Sequence, residues 1–402
     1  MNKQMFEFPL SYADPIPRII SGWGAHEMTG PECKSLKIKK ALIVTTGIRG
    51  TGLVDEIKGS LNYHGIATEV FDKVTSNPKD YEVMEAYKVL KEAGCDGVVS
   101  IGGGSSHDCA KMARVVAANN GKDIRGFAAF LNPPWMEQMK KYKACTIPQV
   151  AVNTTAGTGS EVTSIATLTN TKVRAKQLVL VPNIRVSVAI VDPLITRMMP
   201  RHIAAWTGFD AMAHAYETYT SRVQSPYTSG LSLRAIQIIS ENLREFAYNR
   251  MNARAAEAMA YASTMAGLCL GLGSGAGMAH GLGHQISALT DAHHGLANAV
   301  LAIPISRYNQ SNCPDRFADM ARAMGVDTRG MSKMQASDKW FEETERLLKD
   351  LNIEVGHIGK QFGVKKGDFP HMVKIYSNDF PREGNPREYN YDEIIGLLNS
   401  IY

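Results

Sequence analysis

Two short motifs in the second half of the chain carry residue types able to hold a divalent cation. In GFDAMAHA, residues 208–215, Asp210 and His214 stand four apart. On a helix that spacing puts both side chains on one face, one turn apart. A carboxylate and an imidazole so placed can chelate one ion, although such a pair is more commonly hydrogen-bonded or solvated. The second motif is denser. Residues 279–298, AHGLGHQISALTDAHHGLAN, contain His280, His284, His293 and His294, four of the eleven histidines. His280 and His284 repeat the i, i+4 spacing. Any one of them alone reads as a buried neutral imidazole with a backbone partner. The cluster, taken with Asp210 and His214, reads as a metal centre.

Two glycine-rich turns in the first half suit an anion. The run 97–101 (GVVSI) enters Gly102-Gly103-Gly104-Ser105-Ser106-His107-Asp108, with a helix expected from about Cys109. Consecutive glycines at a strand-to-helix turn let backbone N–H groups approach a phosphate, and the helix N-terminus adds partial positive charge. The run is not a GxGxxG fingerprint, so an ordinary Rossmann assignment is not supported, and alone it reads as a tight turn. The second segment, Asn153-Thr154-Thr155-Ala156-Gly157-Thr158-Gly159-Ser160 followed by Glu161, packs five hydroxyls or amides and two glycines into eight positions. It too follows an apolar run. Two such loops at strand C-termini fit the ligand crevice of an open α/β sheet. The run 41–46 continues through Thr46 to Arg49 without a carboxylate that would bind a ribose 2′-hydroxyl and repel a 2′-phosphate. With Arg49 near, the expected dinucleotide leans toward NADP(H).

The elements that must position these residues follow from hydrophobic patterning. Apolar runs rich in Val and Ile at 41–46, 97–101, 149–153 and 186–191 are strand-like, and helical periods at 54–63 and 81–93 lie between the first two. That alternation predicts βαβ units and a parallel sheet. From about Pro200 onward Ala, Met and Leu dominate, with helical patterns at 206–219, 231–246, 253–270 and 336–351. The expected organisation is an α/β dinucleotide-binding domain over 1–195 and an all-helical metal-binding, catalytic domain over 196–402. A boundary near 192–200 is punctuated by two prolines. A last helix is expected near the C-terminus, capped by Asn390 or Asp392. The amphipathic stretch 127–143, with Pro133 and Pro134, reads as a surface connection or a flap.

Composition narrows the function classes. The 402 residues are 44% hydrophobic and 21% charged, with a net charge of +5 over 44 basic and 39 acidic side chains. That surplus is small, and the longest basic run, KIKK at 37–40, precedes a strand; no nucleic-acid partner is indicated. No apolar run is long enough to span a bilayer. Six scattered cysteines form no CxxC pair, which fits free thiols in a reducing compartment. The first residues, MNKQMFEFPLSYADP, lack the character of a targeting segment. A cytoplasmic protein is expected.

Together GGGSSHDCAK, NTTAGTGSE, GFDAMAHA and the spaced H-x3-H-x9-HG-x2-N are similar, in order and over nearly the whole chain, to the group III, iron-type alcohol dehydrogenase family. VTTGIRGTG and SNPKDYEVMEA look closest to its nitrosoaniline-linked methanol and short-chain alcohol oxidoreductases. The resemblance implies a dehydroquinate synthase-like fold. It implies Asp210, His214, His280 and His294 as metal ligands, with His293 outside the set, and His284 as the catalytic proton-relay residue. It implies Gly103, Gly104, Ser105, Asp108, Thr154, Thr155 and Thr158 as dinucleotide-binding, and Thr46, Asn77 and Lys176 as lining the ribose region. The metal is Fe(II) by preference, with Zn, Mg and Mn open. The reaction would be hydride transfer between NAD(P)(H) and a small primary alcohol such as methanol or ethanol, in a homo-oligomer. The segment 271–278, GLGSGAGM, departs from the family pattern at the expected border of the substrate pocket.

Three other readings compete. One is reduction of a small anionic aldehyde, for example a sulfonated one. Another is a dehydroquinate-synthase-like enzyme acting on a sugar phosphate, which should require Lys and Arg residues that the metal segment lacks. The last is a non-catalytic binding protein, which degenerate ligands would favour.

Overall fold

The computed structural model describes residues 15–46, 48, 50–129 and 135–402. The N-terminal residues 1–14, Arg49 and the middle of the 127–143 stretch lie outside the described residues. The chain divides into two compact units, Ile16–Pro200 and Arg201–Tyr402.

Among the described residues, the first unit has eight strands: β1 (Arg18–Ser21), β2 (Lys40–Thr45), β3 (Ala67–Phe71), β4 (Gly97–Gly102), β5 (Gln149–Asn153), β6 (Ala166–Asn170), β7 (Ala175–Val179) and β8 (Val188–Val191). Six of them form one parallel sheet in the order β1-β8-β5-β4-β2-β3. Successive side chains point to opposite faces of a strand. Accordingly Leu42, Val44 and Val98 enter one buried cluster, while Ala41, Ile43, Val99 and Ile101 enter another. Burial on both faces explains why these strands read as continuous apolar runs.

The chain passes from β2 to β3 on one side and then returns to place β4 on the other. The C-terminal ends of β2 and β4 therefore flank a topological switch point, the usual ligand crevice of an open α/β sheet. Strands β6 and β7 form a separate antiparallel pair. This hairpin escaped the sequence reading, because ATLTN, although it alternates, is short and rich in Thr and Asn, and AKQLV carries no two-residue alternation.

The second unit is helical throughout its regular structure. Its principal helices are Arg201–Thr220, Pro226–Tyr248, Ala253–Gly271, Met278–Thr290, His294–Asn309 and Lys333–Asp350. The final helix, Tyr391–Ser400, starts at Asn390, whose side chain accepts the Glu393 N–H at 2.9 Å. All six cysteines are free. Among the described residues no helix is long and apolar enough to cross a membrane.

Candidate metal centre and dinucleotide cradle

Three segments of the helical unit bring the candidate ligands together. Asp210 and His214 lie on the helix Arg201–Thr220, and both are buried. His280 and His284 lie one turn apart on Met278–Thr290. That helix ends at Asp291, which adopts a left-handed backbone (φ 56°) and turns the chain. Asp tolerates this conformation better than most non-glycine residues. After three linking residues, His294 is the first residue of the helix His294–Asn309.

The resulting geometry suits one cation. Among the described residues, Asp210, His280 and His294 each present a ligand atom within 4.8 Å of the others. Asp210 Oδ1 is 3.7 Å from His280 Nε2 and 3.8 Å from His294 Nε2. Bonds of about 2.0–2.2 Å to a common ion would set such atoms about 3–4 Å apart, so the donors present fit the group. His214 is at the site but outside that tight set; its ring stacks on His280 with centroids 4.5 Å apart. His293 does not join the set. Its ring leans on Trp206, 5.3 Å between centroids. Burial would raise the Asp210 carboxyl, but His214, His280 and the Asn298 amide outweigh it and hold the group below its ordinary value.

His284 stacks on His294, with centroids 5.0 Å apart, and its Nδ1 is 3.7 Å from Asp379 Oδ2. Burial pushes the Asp379 carboxyl up to about 7, against the Phe380 N–H that favours its charge. In the departing segment 271–278, Gly277 has a packing reason: a Cβ there would sit 2.8 Å from Glu217 Oε1. The segment also packs on Gly384, where a Cβ would sit 2.1 Å from the Ala276 carbonyl.

In the α/β unit the two glycine-rich loops pack on each other. Gly102 and Asn153 are register partners at the ends of β4 and β5. A Cβ on Gly103 would meet Thr155 at 2.8 Å, and one on Gly104 would meet Thr158 at 3.0 Å. Gly102 has φ +148°, a region that favours glycine. The helix after this turn runs Gly104–Ala118, starting five residues before the expected Cys109. Gly-Ser-Ser has low helix propensity and reads as loop, yet Ser105 and Asp108 belong to the helix. Gly103, Gly104 and Ser105 are half-buried, as are Thr155, Thr158 and Thr46.

Asp108 is placed differently from a residue presented to a ligand. It accepts from Ser160 Oγ at 2.6 Å, from Thr167 N at 2.9 Å and from Thr167 Oγ1 at 2.6 Å. Its carboxylate thus fixes the second loop. Lys111, one turn on, donates to the carbonyls of Ser160, Thr163 and Ile165; burial brings its ammonium down to about 8. Thr154 donates its N–H to the Gly102 carbonyl at 2.9 Å. Asn77, left-handed at φ 53°, accepts from Lys176 Nζ at 3.0 Å, so these two sequence-distant residues meet.

Two family models match the chain: iron-containing alcohol dehydrogenase over residues 16–193, and the C-terminal domain of the Fe-containing alcohol dehydrogenase family over residues 204–402. The chain belongs to the iron-containing alcohol dehydrogenase family. It is a metal-dependent, nicotinamide-linked alcohol dehydrogenase. The methanol:N,N-dimethyl-4-nitrosoaniline oxidoreductase of Mycobacterium sp. (strain DSM 3803 / JC1) is 38% identical, over 98% of this chain and 97% of its own length. The 1,3-propanediol dehydrogenase of Citrobacter freundii is 38% identical over the full length of both. A solved 1,3-propanediol oxidoreductase superposes with TM-score 0.89 at 36% identity, covering 98% of this chain and all of that one.

Within this dehydrogenase, three supporting residues had no role assigned by sequence reasoning. Asn298 Nδ2 donates to Asp210 Oδ1 at 2.8 Å and is 3.1 Å from His294 Nε2. Its signal was the i, i+4 spacing from His294. Glu217 is hydrogen-bonded to His280 Nδ1; its signal was the i, i+4, i+7 stripe Asp210, His214, Glu217. Asn153 braces the second loop, accepting the Thr155 N–H at 3.1 Å and donating to the Thr155 carbonyl at 2.7 Å.

Proposed function

We propose that this chain interconverts a small primary alcohol, of methanol or ethanol size or a short diol, with its aldehyde. Asp210, His214, His280 and His294 hold one divalent metal in this reading, and the loops 102–108 and 153–160 hold NAD(P)(H). The observation that carries it is the convergence of buried Asp210 and His280 with half-buried His294 on a space that one ion fits. The resemblance to methanol and 1,3-propanediol oxidoreductases supports the small substrate. When bound, the metal supplies Lewis acidity toward the substrate oxygen and the nicotinamide supplies or takes the hydride.

The protein's own part is placement and proton handling. Asp210 brings a carboxylate beside imidazoles, a donor set suited to Fe(II) or Zn; the family's iron makes Fe(II) the first choice. His284 takes the hydroxyl proton and passes it on, a role suited to an imidazole near neutral pH. Gly103 and Gly104 leave the backbone of the first turn open to a pyrophosphate at the start of Gly104–Ala118. NADP(H) is accepted as well as NAD(H), since no carboxylate follows β2 before Arg49. The six free thiols suit a reducing cytoplasm, and the active form is a homo-oligomer.

The test is a panel of methanol, ethanol, propanol, 1,3-propanediol and an anionic aldehyde, assayed with both nicotinamides on metal-reconstituted protein. Turnover of the short alcohols or the diol supports the reading. Turnover confined to the anionic aldehyde overturns the substrate assignment.

A further inference from the structure

His280 reaches the metal centre with its Nε2, and Nε2 can donate a lone pair only if the ring proton sits on Nδ1. A residue that fixes that proton controls the ligand. Glu217 is in that position. Its Oε2 is hydrogen-bonded to His280 Nδ1, and its Oε1 accepts the Ala279 N–H at 2.8 Å. Both groups are buried, and among the described residues the ion-pair partner of Glu217 is His280. An ionised carboxylate is acceptor-only, so the hydrogen in this bond comes from the ring.

Charge balance points the same way. A buried carboxylate without a cation is costly. Asp210 and Glu217 are two buried carboxyl groups on one helix, and a divalent cation held at the site would offset them. The surrounding packing keeps Glu217 in place. Gly277, which precedes the helix Met278–Thr290, leaves the space that a Cβ would take from Glu217 Oε1. Asn385 Oδ1 accepts the Met278 N–H at 3.2 Å, so a second side chain anchors the same helix start.

We infer that Glu217 is the positioning residue of the metal centre, holding His280 in the Nδ1–H form with Nε2 directed at the ion. The inference rests on the proposed ligand set. Glu217→Gln is the informative change. Its amide oxygen can still accept from Ala279. Its NH2 then faces Nδ1 and favours the opposite tautomer, with the proton on Nε2 where the ion should bind.

The experiment measures Zn2+ affinity by chelator competition, and the visible spectrum of the Co2+-loaded protein, for wild type, Glu217→Gln, Asn385→Ala and His280→Ala. Melting of the metal-free forms is followed in parallel. The expected result is a metal affinity lower by roughly 10- to 100-fold in Glu217→Gln, with a changed Co2+ spectrum and metal-free melting near wild type. Should Glu217→Gln also lose stability, Asn385→Ala supplies the comparison: a weaker loss of metal at the same loss of stability supports positioning. Wild-type affinity in Glu217→Gln, or an equal loss in Asn385→Ala at matched stability, overturns it. If His280→Ala itself keeps wild-type affinity, the ligand set has failed; if His280→Ala loses the metal while Glu217→Gln keeps it, only the role of Glu217 has failed.

Discussion

Asn298 ties two of the candidate ligands together: its amide donates to Asp210 Oδ1 at 2.8 Å and lies 3.1 Å from His294 Nε2. Groups that orient ligands contribute to affinity nearly as the ligands do. Asn298→Ala is expected to weaken metal binding by roughly 10- to 100-fold, while dinucleotide binding is unchanged. Chelator competition and a nicotinamide titration on the same sample check both halves of that statement. Unchanged metal affinity would remove Asn298 from the centre.

Gly295 follows His294 and lies against the helix that carries Asp210. A Cβ there would be 2.3 Å from the Trp206 carbonyl and 3.1 Å from Asp210 Cβ. The first of these is backbone and cannot rotate away. Gly295→Ala should therefore cost roughly 1–3 kcal/mol and lower the metal content as well. Calorimetry with metal analysis reads the two effects; a melting temperature equal to wild type would mean the helices separate more easily than their packing suggests.

Asp379 gives the pH dependence a direction. Burial raises its carboxyl to about 7, against an unfolded value of about 3.9. The folded chain thus binds this proton more tightly. That contribution to stability is complete below the unfolded value, falls as pH rises, and is lost once pH has passed about 7. Asp379→Asn, which cannot ionise, should gain melting temperature relative to wild type as pH rises from about 3.9 to about 7, hold that gain at higher pH, and show none below the unfolded value. A difference independent of pH would contradict the assignment.

Asp108 holds the second glycine-rich loop through Ser160 and Thr167. Asp108→Ala leaves those donors and Lys111 without their carboxylate, at a cost of roughly 1–3 kcal/mol. Nicotinamide affinity should fall several-fold with metal content intact. Fluorescence titration with reduced nicotinamide tests this, and full affinity would limit Asp108 to a role in the fold alone.

The parts of the fold that sequence patterning reached are those with a strong period. Strands buried on both faces read as apolar runs, and β5 has the expected bounds of 149–153. The helices that carry the candidate ligands announced themselves through Asp210–His214 and His280–His284. What was lost depended on contacts between distant segments. Glu217 meets His280 across 63 positions, and a Glu on a helix otherwise reads as a solvated face. Pro304 argues against a helix that nevertheless runs His294–Asn309, because burial of Val300, Leu301, Ile303 and Ile305 outweighs the missing N–H. The hairpin β6–β7 is polar enough that only its packing on the α/β core reveals it.

In the proposed function, turnover depends on an ion held by Asp210, His280 and His294, with His214. The most direct measurement is metal content and alcohol oxidation of wild type, Asp210→Ala and His280→Ala after identical reconstitution with Fe(II) or Zn. The expected result is about one metal per wild-type chain, lost with activity on chelation, and neither metal nor turnover in the two variants. Metal retained at wild-type stoichiometry with turnover intact in either variant would contradict it.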